Sequence, residues 1–144
     1  MPSRDATTHW EGDLSSGKGH VTLDSSNAGR FDVSFPTRSG NPDGQTSPEE
    51  LIAAAHSSCL AMNLSAVLAG EQLTARSIDV SAEVTLGPAK GGGFEISGIA
   101  ITLRADLPGV DAGRFAELAA TAERTCPVSK ALAGTTITLD AALA

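Results

Sequence analysis

The segment that most constrains this chain is Leu51–Gly70, LIAAAHSSCLAMNLSAVLAG, which carries no Asp, Glu, Lys or Arg. It follows Ser47-Pro48-Glu49-Glu50. Ser47 suits a helix N-cap, Pro48 suits the first helical position, and Glu50 stands where a capping box places its acid. The spacing predicts a helix running to about Ala69, with Gly70 as its C-terminal stop. A helix uncharged on every side must be covered on every side, by protein or by lipid. His56, Asn63, the three serines, the preference for Ala over Leu or Ile and the missing basic flanks favour protein. We therefore expect a buried core helix and no membrane partner.

Around this helix the pattern is that of strands. His9–Leu14, His20–Leu23 and Arg30–Phe35 are short runs separated by Gly and Ser clusters. Arg30–Phe35 alternates apolar and polar residues. Gly40-Asn41-Pro42-Asp43-Gly44 reads as a loop. Beyond the helix, Ser77–Leu86 and Phe94–Leu107 alternate on either side of Gly91-Gly92-Gly93, as a hairpin whose phase slips near Ser97-Gly98, the sign of a bulge. Asp111 caps a helix over Ala112–Arg124, Cys126-Pro127 opens a short one ending at Gly134, and Thr135–Asp140 closes as a strand. The order excludes a doubly wound sheet and gives an α+β class with antiparallel sheet in a single domain over 1–144.

The formal net charge is −7, from 10 basic and 17 acidic residues. With no basic run, nucleic acid is not expected as a partner, because counterion release needs a basic patch. Met1–Gly12 is polar and charged and does not read as a signal peptide. The expected compartment is the cytoplasm, where thiols stay reduced and two cysteines suggest catalysis, redox sensing or inert burial rather than a structural disulfide.

Those two cysteines sit in unlike settings. Cys59 falls mid-helix, where burial raises a thiol pKa and reactivity needs a positive neighbour. His56, on the same helix face, is one candidate, alongside the reading of a polar residue satisfied by the fold; Arg38, permanently charged, is the better one. Glu50 is explained by the cap. Glu49 is not; it either stabilises the helix terminus or holds Arg38 in a bidentate pair. Ten residues of helix separate Glu49 from Cys59, about 15 Å along the axis, so no direct contact between them is expected. Cys126, at a helix start, should have a lowered pKa and suits a thiol that reacts second. His9, His20 and His56 are scattered with no zinc-like spacing, and no nucleotide-binding glycine motif is present, so neither metal nor cofactor is expected.

Together these residues make the chain resemble the OsmC/Ohr family of thiol-dependent peroxidases, in its OsmC branch. The resemblance rests on His9-Trp10-Glu11-Gly12-Asp13 with Gly17-Lys18-Gly19, on Ser47-Pro48-Glu49-Glu50-Leu51 through Cys59, on Pro108-Gly109-Val110-Asp111, and on Cys126-Pro127-Val128-Ser129-Lys130. It implies antiparallel sheets packed around a long buried helix in an intertwined homodimer with sites at the subunit interface. It implies a peroxidatic Cys59 that attacks an organic hydroperoxide, and hydrogen peroxide less well, to give an alcohol and a sulfenic acid. Cys126 then resolves this as an intramolecular disulfide, which a lipoyl or other dithiol reduces, in oxidative or osmotic stress defence. Glu49 would orient an arginine, and Arg38 matches that arginine in the OsmC branch, whereas the early glycine-rich turn carries Lys18. The competing readings are a dithiol reductase, a cysteine hydrolase, and a stress-induced small-molecule or lipid-binding protein with incidental thiols.

Overall fold

The computed structural model describes all residues from Met1 to Ala144. The chain forms two compact units, Met1–Leu51 and Ile52–Ala144. The first holds an antiparallel sheet of β1 (Thr7–Glu11), β2 (Lys18–Thr22) and β3 (Arg30–Val33), in that order. His9 lies opposite His20, Trp10 opposite Gly19 and Glu11 opposite Lys18. The turn between β1 and β2 explains the early glycines. A Cβ on Gly17 would fall 2.2 Å from the Asp13 carbonyl oxygen and 2.8 Å from the Trp10 ring, so this backbone approach admits only glycine.

Phe35 does not end β3. Ser34, its own backbone still extended, is an N-cap whose hydroxyl accepts from the Thr37 N–H, and Phe35–Ser39 form a short helix, α1. The apolar alternation of Phe31, Val33 and Phe35 is outweighed by Ser34 and Pro36, which supply a cap and a pre-set φ for a first helical turn. Arg38 consequently sits in the last turn of α1.

The long helix α2 spans Pro48–Gly70. The Ser47 hydroxyl accepts from the Glu50 N–H at 3.2 Å, as the capping pattern requires. The Glu50 carboxylate accepts a hydrogen bond from the Thr46 hydroxyl, whereas a full capping box would return it to the N–H of the cap. By length and composition α2 could cross a membrane. Here His56, Leu60, Leu64 and Leu68 form a fully buried stripe at four-residue spacing, while Ala54, Ala55, Ser58, Met62, Ser65, Ala66 and Ala69 are exposed. Within one chain the helix is therefore covered on one side only.

Gly70 is the last helical residue, and the stop lies beyond it. Leu73 N–H bonds to the Leu68 carbonyl and Gln72 N–H to that of Ala69, with Gln72 at φ 59°. This is a Schellman ending with Gln72 in the left-handed position that glycine fills at least cost. Leu68 and Leu73 both belong to the apolar core, the hydrophobic contact that accompanies this motif. Relief of the left-handed penalty exceeds the extra chain entropy of glycine, so Gln72→Gly should stabilise the protein by about 0.5 kcal/mol. A urea midpoint that falls would contradict this.

In the second unit, β4 (Ser77–Pro88) and β5 (Phe94–Asp106) form the antiparallel hairpin. The register passes from Thr85 opposite Gly98 to Leu86 opposite Ile96, so Ser97 is the bulged residue, where the alternation slipped. After α3 (Ala112–Thr125) and α4 (Pro127–Ala131), the last strand, β6 (Ile137–Leu143), pairs with β5 in parallel. This sheet is mixed, which corrects the antiparallel expectation. The two helices return the chain to the starting end of β5, as a parallel neighbour requires. β5, central in the order β4-β5-β6, turns Ile99, Ile101, Leu103 and Ala105 into the core against Leu60, Leu64, Leu68, Phe115, Leu118, Ala119, Ala122 and Cys126. Each large apolar side chain so buried contributes about 1.5–3 kcal/mol.

Candidate active site

Two pairs of side chains bring the expected site residues together, one in each unit. In the first unit, Glu49 is 7% exposed at the start of α2. Arg38 donates to it through Nε, at 3.1 and 3.2 Å to the two carboxylate oxygens, and through Nη2 at 2.8 Å. Of the two roles open to Glu49, this is the bidentate pair. Burial pushes the Glu49 carboxyl up, but hydrogen bonds from Arg38, its own N–H and Ser47, with the Arg38 charge, more than offset it and hold it below the usual carboxylate range. Arg38 is thereby held as an oriented cation with part of its guanidinium open. It borders an open cavity of about 240 Å³ whose other lining residues are Trp10, Leu14, Val33, Ser34, Phe35 and Pro48. A mostly apolar wall with one fixed guanidinium suits a molecule with an organic body and a polar, electron-rich group. Lys18 is exposed, in the β1–β2 ladder opposite Glu11.

In the second unit the sulfurs of Cys59 and Cys126, 67 residues apart in the chain, lie 3.2 Å apart as free thiols in hydrogen-bond contact. Their burial reverses the expectation: Cys59 is half-buried and Cys126 is completely buried. The reason is tertiary. Cys59 lies on the flank of α2, beside the fully buried stripe, whereas Cys126 lies at the joint of α3 and α4, inside the core. Asn63, one turn after Cys59, secures that joint by donating to the Ala122 carbonyl at 2.6 Å and to the Thr125 hydroxyl at 2.8 Å. The final turn of α3 is thus tied to α2 directly before Cys126.

The two thiols are electrostatically unlike. Burial raises the Cys59 thiol, and its Cys126 neighbour raises it further, against the Val128 N–H. Burial also opposes ionisation of Cys126, but the Ser129 N–H, the Cys59 thiol, the Ser129 hydroxyl and the Val128 N–H outweigh it, so Cys126 is lowered. Apart from the Cys59 thiol, these groups belong to the first turn of α4, of which Cys126 is the N-cap. His56 does not act as a charged partner for Cys59. It is fully buried, its Nε2 lies 2.8 Å from Ser129 Oγ, and burial lowers its pKa against an opposing pull from Glu123. Nowhere do three or more His, Cys, Asp or Glu side chains converge in metal-ligating geometry.

Asn63 and Ser129 were given no role from the sequence. For Ser129 a local signal existed: it occupies the third position of a helix whose cap is a cysteine, where a residue's N–H lies on the side of its cap. For Asn63 there was none, because its partners lie 59 and 62 residues away.

The family model of OsmC-like proteins matches residues 40–140, from the loop before α2 into β6. The chain is 42% identical over 132 residues to Peroxiredoxin OsmC of Escherichia coli (strain K12), covering 92% of this chain and 90% of that one. It is 32% identical over 104 residues to the Organic hydroperoxide resistance protein of Xanthomonas axonopodis pv. citri, covering 71% and 70%. Among solved structures, an organic hydroperoxide resistance protein from Elizabethkingia anophelis superposes with a TM-score of 0.79 at 28% identity, over 100% of this chain and 98% of that one. With the α+β fold and the sequence agreement in accord, the chain belongs to the OsmC-like protein family.

Proposed function

We propose that this protein is a cysteine-based peroxidase that reduces organic hydroperoxides to alcohols, with no metal or haem. A peroxidase-type role follows from kinship with proteins named peroxiredoxin and organic hydroperoxide resistance protein. The observation that carries the finer reading is the thiol pair: two reduced sulfurs 3.2 Å apart, one reachable and one buried. The Cys59 thiolate attacks the outer oxygen of the hydroperoxide. A sulfur–oxygen bond forms, the O–O bond breaks, and the alkoxide leaves and takes a proton to become the alcohol. The half-buried sulfur is the one a substrate can meet, so Cys59 attacks and Cys126 resolves. The sulfenic acid at Cys59 condenses with Cys126 before it can climb the oxidation ladder.

Within its own unit the Cys59 thiol is held up, and Arg38 is the cation we propose to bring it down and to polarise the peroxide. The apolar cavity beside Arg38 supports organic over hydrogen peroxide. A homodimer belongs to the same proposal: the uncharged face of α2, with Met62 67% exposed, is the kind of surface a second copy covers. A dithiol, lipoyl or otherwise, would regenerate the pair, with the cytoplasm as the proposed compartment and oxidative stress defence as the setting.

Reduced protein mixed with a slight excess of cumene hydroperoxide should lose both thiols of each chain and yield one equivalent of alcohol. Cys126→Ser should stop after one turnover with a sulfenic acid trapped at Cys59 by dimedone. Peroxide consumption with both thiols intact would overturn this reading, and a Cys126→Ser protein that turns over with a dithiol as the wild type does would remove Cys126 from it.

A further inference from the structure

Cys126 stands where secondary structure holds the chain least. It ends α3 and opens α4 with an extended backbone, φ −61° and ψ 124°, so neither helix carries its sulfur through the joint. Its N–H turns back to the Glu123 carbonyl at 3.2 Å, and the Ala122 carbonyl thereby lacks the N–H that a continuing helix would supply. Ser129 is the one buried side chain of the short α4. Apolar packing holds such a joint against the core, but it is non-directional and does not by itself aim a sulfur.

α2 places a polar side chain on each side of Cys59. Four residues after it, Asn63 donates to that same Ala122 carbonyl at 2.6 Å and to the Thr125 hydroxyl at 2.8 Å. Three residues before it, His56 Nε2 lies 2.8 Å from Ser129 Oγ. His56 Nδ1 is buried without a partner. A buried N–H with no acceptor is rarer than a lone pair with no donor, so the proton is on Nε2 and His56 donates. Steps of three and four residues return to one helix face. The two ties therefore bracket both sulfurs at once: His56 and Asn63 around Cys59, and Ala122, Thr125 and Ser129 around Cys126. Between them the sulfurs lie 3.2 Å apart.

We propose that His56 and Asn63 are positioning residues for the resolving step: with Ser129, Ala122 and Thr125 they form a two-point clamp that holds the two sulfurs at reaction distance before any bond joins them. The proposal rests on the peroxidase reading for its step and on the hydrogen bonds of α2 for its clamp. In that step the Cys126 sulfur attacks the sulfur of the Cys59 sulfenic acid. The S–S bond forms, the S–O bond breaks, and the departing hydroxide takes the proton that the Cys126 thiol gives up and becomes water. The Cys126 sulfur is oxidised by one unit and the Cys59 sulfur reduced by one, so no further oxidant enters. Reacting atoms held about 3–3.5 Å apart need no conformational search. Without the clamp that search falls within the lifetime of the sulfenic acid, which is open to further oxidation. Ordering the thiols in the reduced protein also raises their effective concentration toward each other, so the disulfide is favoured at equilibrium as well as formed faster.

The test reads that effective concentration from the equilibrium of the intact protein with a glutathione redox buffer, without peroxide. Asn63→Ala and Ser129→Ala should each lower it about tenfold. His56→Leu should match Ser129→Ala, and His56→Gln, whose amide can still donate to Ser129, should recover most of the loss. In a single turnover with cumene hydroperoxide, Asn63→Ala should form the disulfide about tenfold more slowly, so that dimedone captures at Cys59 a sulfenic acid that the wild type does not accumulate. A purely structural role would destabilise the reduced and oxidised proteins equally and leave the glutathione equilibrium unmoved. An effective concentration within about twofold of wild type in both Asn63→Ala and Ser129→Ala overturns the clamp, however early the variants melt. Failure of His56→Gln to differ from His56→Leu overturns the part assigned to His56. Where His56→Leu does not fold, the half-buried Asn63 and the small change at Ser129 still decide the clamp. Absence of any sulfenic acid or disulfide in peroxide-treated wild type sinks the peroxidase reading and leaves the glutathione equilibrium to decide the clamp.

Discussion

Cys59→Ser abolishes peroxide consumption, with a loss on the order of a thousandfold or more. A serine hydroxyl at this position is neither ionised nor soft enough to attack an O–O bond, and Cys126 cannot replace the lost thiol because it is completely buried. The exchange of sulfur for oxygen at a half-buried site costs little stability, within about 1 kcal/mol, so loss of activity is not confused with loss of fold. Thermal unfolding of the variant beside a peroxide-consumption assay checks both. A Cys59→Ser protein that consumes cumene hydroperoxide at the wild-type rate would end the peroxidatic role of this residue and favour a ligand-binding protein with incidental thiols.

Arg38→Ala lowers kcat/KM for an organic hydroperoxide by about 100-fold, the scale of losing one oriented donor to a transition-state charge. Arg38→Lys recovers only part, since an ammonium retains the charge but cannot make the forked contact with Glu49. The pair also carries a pH signature. Its folded-state pKa being lowered, Glu49 contributes stability that is fully present above the ordinary glutamate range and is lost as pH falls through the depressed value. Removal of Arg38 takes away the largest lowering influence and leaves a buried carboxylate unpaired. The acid limb of the unfolding curve should then move to higher pH, with a loss near neutrality of about 1–2 kcal/mol after allowance for the open side of Arg38. Equal kcat/KM in wild type and Arg38→Ala would dismiss Arg38 as the activating cation, whatever the unfolding curve does.

Legibility from sequence followed the range of the interaction. Ser47, Asp111 and Cys126 were readable as caps because a cap is settled within four residues. The bulge at Ser97 was readable because a slip in a two-residue period is local. Arg38 and Glu49 were readable as a pair because only 11 residues separate them. Where two local signals competed, the reading failed: three alternating apolar residues suggested a strand through Phe35, and the cap at Ser34 with Pro36 made a helix. Gly70 was a plausible stop, but the Leu68–Leu73 contact set the ending two residues later and drew Gln72 into the left-handed region.

The sequence by itself determined α2, α3 and α4, the hairpin, the family pattern and the two thiols with their unequal local settings, because caps, periods and motifs are properties of neighbouring residues. Only the tertiary structure decided that β6 runs parallel to β5, that Cys126 and not Cys59 is the sealed thiol, and that His56 faces Ser129 across 73 residues. Burial belongs to no residue alone: it is set by which elements meet, and the same meeting decides which buried polar groups find partners and which sulfur remains within reach of a substrate.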